Sequence, residues 1–300
     1  MENKLVSIIT PCYNTGNYVF RLLDSIVKQT YPHIEMYIVN DGSTDNTYQT
    51  IVSYKQKFDA RGYTFHVINQ SNLGQSVAIK KCLSLIKGDY LVWPDSDDFY
   101  SSPQAIETMV STMLNLGNDF ALVRAFAYLL EENTLKVLSV LGEKPKAYNR
   151  KSLFEDCLLS KNNFFFGAGA YMIDVQKFKS TTMGFYTNKD TGQNWQLLLP
   201  LLYHYNCYTI NIPLYNIICR QSSHSRNQYK GYNKTKRKLC AYEKTLLKTI
   251  HFIKGITLKD RILYISKIKS KYIKERVHIE LAHLKRLSCL YQNKYQSMPR

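Results

Sequence analysis

Between residues 5 and 98 short β-branched runs alternate with amphipathic segments, and this alternation constrains the fold more than any other feature of the chain. LVSIITP (5–11), HIEMYIVND (33–41), YTFHVINQ (63–70) and DYLVWPD (89–95) read as strands. Between the first two, Val19, Leu22, Leu23, Ile26 and Val27 follow the i, i+3, i+4, i+7, i+8 spacing of a helix with one buried face. TDNTYQTIVSYKQKF opens on Thr and Asp, which favour helix starts, and QSVAIKKCLSLIKG ends on a glycine suited to a helix end. Strands and helices in this order build a mostly parallel sheet with helices on its faces, so an α/β fold is expected.

Open α/β sheets bind ligands beyond the carboxyl ends of their strands. At those ends stand Pro11-Cys12-Tyr13-Asn14, Asp41-Gly42-Ser43, Asn69 to Gly74, and Asp95-Ser96-Asp97-Asp98. The last group crowds three carboxylates together, and like charges that close usually share a counter-charge such as Mg²⁺, Mn²⁺ or Ca²⁺. The alternative is an Asp-rich turn that ends a strand and caps the next helix.

Beyond residue 100, DFALVRAFAYL and LKVLSVLG flank EENT as a hairpin. FFFGAGAYMIDVQKF (164–178) sets glycines among aromatics, where backbone could approach a ligand closely, and GQNWQLLLPLLYHY (192–205) reads as a helix bent near Pro200. Lys- and Tyr-rich helical segments follow from about residue 230. Residues 230–300 carry 19 Lys/Arg against 4 Asp/Glu, a net +15, whereas residues 1–229 carry 21 against 19, a net +2. The expected division is 1–228, with a nucleotide-binding part over 1–100 and an acceptor part over 101–228, and a basic helical region over 229–300. The seven cysteines are scattered without a C-x-x-C pair, as reduced thiols would be. No apolar run reaches the ~18 residues of a membrane span, and the start does not read as a signal peptide, so a cytoplasmic chain is expected.

VSIITPCYN, VNDGSTDNT, QSNLGQSVAIKKCL and WPDSDD, in this order and spacing, resemble the family 2 glycosyltransferases, of the Rossmann-like GT-A fold and mostly inverting. The resemblance implies a hexosyltransferase that moves sugar from a UDP-sugar to a hydroxyl of a lipid-linked saccharide, for a bacterial surface polysaccharide such as O-antigen or capsule. Pro11, Tyr13 and Asn14 would line the base pocket, Asp41 would accept from the base imide, and Asn72 and Gly74 match N-x-G. Asp95 and Ser96 would face the ribose and sugar; Asp97, with Asp95, matches the D-x-D that holds Mn²⁺ or Mg²⁺. His224 resembles a histidine that often completes that site, with Arg220 and Arg226 near phosphate. Lys80 or Lys81 would sit near phosphate, although the arginine often found in this helix is absent.

Many relatives carry Glu-Asp-Trp where this chain has Gln193-Asn194-Trp195, and an amide cannot act as a general base. Asp190 is the nearest carboxylate to take the role, with Asp98 as the runner-up. Asn194 is kept in the catalytic set, and Gly167, Gln193 and Trp195 are expected at the acceptor. The rival readings are an inactive nucleotide-sugar-binding relative and a nucleotidyltransferase. The latter would want a Gly-rich basic loop that TPCYNTGNY lacks. Expected partners are the donor, the acceptor and an anionic membrane surface at the inner face, with self-association into a homo-oligomer left open and no nucleic acid. The membrane expectation rests on Ile262, Ile265, Ile268, Tyr272 and Ile273 sharing one face of a basic helix.

Overall fold

A computed structural model describes residues 3–142, 153–220 and 231–296, of which 287–296 by backbone alone. The first four strands are β1 (Val6–Cys12), β2 (Ile34–Asp41), β3 (Thr64–Gln70) and β4 (Tyr90–Val92). They pair in parallel in the order β3-β2-β1-β4. β1 and β2 are buried along their whole length, as near-continuous apolar runs covered on both faces should be. β4 is shorter than the expected 89–95, because Pro94 has no N–H to continue a ladder.

The connecting helices are α1 (Val19–Val27), α2 (Thr47–Val52), α3 (Lys55–Ala60) and α4 (Gln75–Leu83). α1 buries Val19, Leu22, Leu23 and Ile26, four of the five apolar positions expected. The segment expected as one helix after β2 is two, α2 and α3. Tyr54, between them, reaches back to α1, where its hydroxyl donates to Asp24 Oδ1 (2.8 Å).

The second half adds β5 (Phe99–Tyr100), α5 (Ala105–Asn115), β6 (Phe120–Glu131), β7 (Val137–Leu141), α6 (Phe154–Leu159), β8 (Tyr171–Asp174), α7 (Val175–Thr181), α8 (Asn194–His204) and β9 (Asn206–Cys219). β6 and β7 form the expected antiparallel hairpin, with a register shift at Leu129/Leu130. β8 joins β4 to β6 antiparallel to both, and β9 lies parallel to β6, giving a mixed sheet ordered β3-β2-β1-β4-β8-β6-β9-β5. Sequence reading did not anticipate β9. Its polar residues and Pro213 hide the pattern, and Pro213 sits where the ladder to β6 loses register.

Two helices close the described chain, α9 (Tyr232–Phe252) and α10 (Leu258–Gln296). They are part of the fold: Leu239, Leu246, Ile250, Ile268 and Tyr272 join the apolar cluster that also holds Trp93, Tyr171 and Leu197–Leu199. The lipid-facing stripe expected on α10 therefore divides. Ile268 and Tyr272 are 0% and 1% exposed, packed inward, while Ile262 and Ile273 are 61% and 54% exposed. Among the described residues no helix is long and apolar enough to cross a membrane.

Candidate active site

The carboxyl ends of β1, β2 and β4 open into one cleft of about 930 Å³. Pro11, near the end of β1, and Tyr13, just beyond it, line the cleft, Tyr13 half exposed. Asn14 does not line it. With φ at 51°, in the left-handed region that Asn tolerates, its N–H donates to Ser43 Oγ (3.1 Å) and its Oδ1 accepts from Thr44 N–H (2.9 Å). It ties the β1 loop to the β2 loop and shapes the pocket from behind.

Asp41, buried at the end of β2, organises the loop that follows β3. Its Oδ1 accepts from Gln70 Nε2 (2.8 Å) and Leu73 N–H (2.9 Å), and its Oδ2 accepts from Gly74 N–H (2.9 Å). A carboxylate has about four lone-pair sites, so one remains for a ligand in the cleft. The loops meet closely enough to need glycine. A Cβ on Gly42 (φ +75°) would lie 2.7 Å from Asn72 N, and one on Gly74 (φ +95°) 3.0 Å from Lys189 Cα. Asn72 and Gly74 both line the cleft, whereas Lys80 and Lys81 are exposed on α4 and do not.

Behind β4, Asp95, Ser96 and Asp97 line the cleft and Asp98 does not. Asp98 is buried against β9, where its Oδ1 accepts from Ile218 N–H (2.9 Å). Burial and the neighbouring Asp97 and Asp95 charges hold its carboxyl well above the usual range. The expectation of Asp98 as reserve base meets this correction: it faces a strand, not the space a substrate would fill. Asp97 Oδ2 pairs with Arg220 at 2.5 Å, and the guanidinium lies 4.5 Å from the centre of the Tyr18 ring. Burial first, and Asp97 second, push Asp95 up to about 7, with Arg220 opposing. Two cleft-facing carboxylates that repel each other in this way are a hard-oxygen donor pair of the kind that could hold Mn²⁺ or Mg²⁺. Among the described residues no third His, Cys, Asp or Glu gathers with them. His224 and Arg226 lie outside the described residues.

The other half of the cleft belongs to α8 and the C-terminal helices. Asn194 lines it but is held at both ends: its Oδ1 accepts from Trp93 Nε1 (2.8 Å) and its Nδ2 donates to the Phe166 carbonyl (3.0 Å). Trp195 lines it with Phe166 and Tyr242 edge-on at 6.1 and 5.2 Å. Gln193 is 2% exposed and outside the lining, as is Gly167, whose Cβ would lie 2.1 Å from the Phe165 ring. Both were expected at the acceptor; close packing on Phe165 accounts for Gly167, while Gln193 is buried with its Oε1 unpartnered among the described residues. Asp190 lines the cleft, but Arg237 donates to both its oxygens, Nε to Oδ2 (2.8 Å) and Nη2 to Oδ1 (3.0 Å). The pair leaves about two lone-pair sites on the carboxylate, while the guanidinium beside it favours the charged form and so weakens it as a base.

Sequence reading missed Lys189 and the wall made by α9 and α10: Lys238, Tyr242, Lys271 and Glu275. The signal was present, since 238/242 and 271/275 are i, i+4 pairs on single helix faces, but only packing shows which face meets the cleft.

A mixed sheet with a nucleotide-type loop set at its carboxyl edge and a paired Asp site defines a GT-A architecture. The profile of Glycosyl transferase family 2 matches residues 7–179, more than half of the chain, and the chain belongs to that family. Glycosyltransferase GlyA of Streptococcus pneumoniae is 31% identical over 153 residues, which are 50% of this chain and 21% of GlyA, so this chain spans only a small share of that relative. The putative teichuronic acid biosynthesis glycosyltransferase TuaG of Bacillus subtilis is 29% identical over 232 residues, covering 77% of this chain and 85% of TuaG. Among solved structures, S. aureus TarS 1–349 in complex with UDP-GlcNAc superposes with a TM-score of 0.65 at 14% identity, over 90% of this chain and 73% of TarS 1–349. Mannosyltransferase PcManGT from Pyrobaculum calidifontis with GDP-Man and Mn²⁺ gives 0.58 at 13%, over 95% and 75%. These likenesses establish the fold.

Proposed function

We propose that the chain transfers a hexose from a UDP-sugar to a hydroxyl of a lipid-linked saccharide, with inversion, in the building of a cell-surface polysaccharide. The observation that carries this reading is the single cleft in which Tyr13, Asp41 and the Asn72–Gly74 loop face Asp95 and Asp97. Its support comes also from a relative assigned to teichuronic acid biosynthesis and a fold neighbour holding UDP-GlcNAc.

In this reading the uracil lies against the Tyr13 ring and donates its imide N–H to the free lone pair of Asp41. Asp95 and Asp97 would hold Mn²⁺ or Mg²⁺, with His224 as a further ligand, and the ion would stabilise the charge that builds on departing UDP. Arg220, already beside Asp97, is placed to donate to the diphosphate. Trp195 offers the acceptor sugar a ring face, and Asp190, through a lone pair that Arg237 does not use, takes the proton of the attacking hydroxyl. A single in-line displacement between the two halves inverts the anomeric centre. The outward row on α10, Ile262, Ile273, Val277, Leu281 and Leu284, more than half exposed and flanked by lysines, would rest on the anionic inner face of the membrane.

One observation favours the rival reading of an inactive relative: Asn194 is locked and Asp190 is engaged. A panel of UDP-sugars with Mn²⁺ tests both. Release of UDP from one sugar supports transfer, and UDP binding without release from any member supports the inactive relative.

A further inference from the structure

The wall that α9 and α10 give to the cleft carries two partly buried lysines, one of them paired with a carboxylate of its own helix. Lys238 is 7% exposed, its ammonium donating to the Asp190 carbonyl and lying 4.9 Å from the Tyr242 ring centre. Lys271, its side chain 21% exposed, donates to the Leu159 carbonyl (2.9 Å) and stands 3.8 Å from Glu275. Burial lowers the pKa of both lysines. Asp190, the carboxylate next to Lys238, has both oxygens bonded to Arg237. Among the described residues that α9 and α10 place in the lining, Glu275 is the one carboxylate.

An ammonium has three donors, and each of these uses one on a backbone carbonyl, so capacity remains toward the cleft. Packing alone does not call for charge here, because Leu or Met would fill the same space without the cost of burying a cation. Lys238 lies over Tyr242, which stands edge-on to Trp195, and Lys271 lines the same cleft beside Tyr272.

We propose that Lys238 and Lys271 recognise an anionic group on the acceptor, a phosphate ester or a uronate carboxylate, so that the enzyme selects a charged saccharide. This rests on the reading of the cleft as a donor half facing an acceptor half.

The test uses the full chain with Mn²⁺ and saturating UDP, which fills the donor half. Methyl glucuronide, a glycerol phosphodiester and neutral methyl glucoside are then titrated by calorimetry. The expected result is that one anionic probe binds at least about tenfold more tightly than the glucoside, and that Lys238→Gln and Lys271→Gln each remove about tenfold of that preference. Lys271→Arg should retain most of it, and UDP affinity should stay unchanged in every variant, which also reports that the fold is intact. Whichever anionic probe binds tighter identifies the source of the charge. Equal binding of charged and neutral probes, or glutamine variants that bind like wild type, overturns the proposal while leaving the donor reading in place. A wild-type chain that does not bind UDP overturns the donor reading, and this proposal with it. If Lys238→Gln does not fold, the wild-type preference and Lys271→Gln decide.

Discussion

Replacing Asp41 with alanine should damage stability and the nucleotide pocket together, because one buried carboxylate holds the loop after β3 through three donors at 2.8, 2.9 and 2.9 Å. Deleting it orphans the Leu73 and Gly74 N–H groups and the Gln70 amide. Hydrogen bonds to a charged group are worth roughly 1.5–3 kcal/mol each, and water can reach part of this loop, since Leu73 is 46% exposed. A net loss of about 3 kcal/mol follows, which for a chain of this length lowers Tm by about 5 °C. Asp41→Asn keeps one acceptor but turns an amide N–H₂ toward a backbone donor, so about half that loss is expected. Differential scanning calorimetry measures both, and UDP titration should show affinity down by about tenfold or more in the alanine variant. An Asp41→Ala protein with unchanged Tm and unchanged UDP affinity would refute the reasoning.

Glu35, buried in β2, accepts from Ser7 Oγ (2.5 Å), Lys87 N–H (2.6 Å) and Gly88 N–H (3.1 Å), so Glu35→Ala should cost about 3 kcal/mol by chemical denaturation. A loss near zero would show that water replaces those contacts. Asp190→Asn should cut kcat by roughly 10²–10⁴ with UDP affinity nearly unchanged, since a base acts on the chemical step alone; a near-normal kcat moves the role elsewhere, Glu275 being the next carboxylate in the lining. Co-sedimentation with anionic liposomes should fall at high salt and in an Ile273→Glu/Leu284→Glu variant, whose side chains are 54% and 59% exposed and so removable without unfolding. Undiminished binding in that variant would leave α10 as a structural cap.

How far the sequence was legible depended on the range of the contacts. β1, β2 and β4 were legible as continuous apolar runs bounded by polar turns and α1 by its helical periodicity, and Asp95 and Asp97 because strand ends in such a sheet converge. The side on which a turn residue emerges was not: Asp97 faces the cleft and Asp98, its neighbour, faces β9. β9 itself pairs Arg124 with Thr209 across the sheet, a contact no local window contains. The acceptor wall was hidden for the same reason. Lys238 and Lys271 look like members of a solvated basic tail, and only the burial of Leu246, Ile250, Ile268 and Tyr272 turns that tail onto the cleft. Gln193 and Gly167 were misplaced because a motif position says what neighbours a site, not which way each side chain points.

The central claim is that Asp95 and Asp97 present a donor nucleotide to the cleft through a divalent ion. Its most direct test is UDP binding by calorimetry with Mn²⁺ and with excess chelator, in the wild type and in Asp97→Asn. The account predicts binding that is Mn²⁺-dependent in the wild type and weakened at least about a hundredfold in the variant, with the fold retained because losing the Asp97 charge weakens the Arg220 pair but also relieves its repulsion of buried Asp95 and Asp98. Equal affinity with and without Mn²⁺, retained in Asp97→Asn, would contradict it.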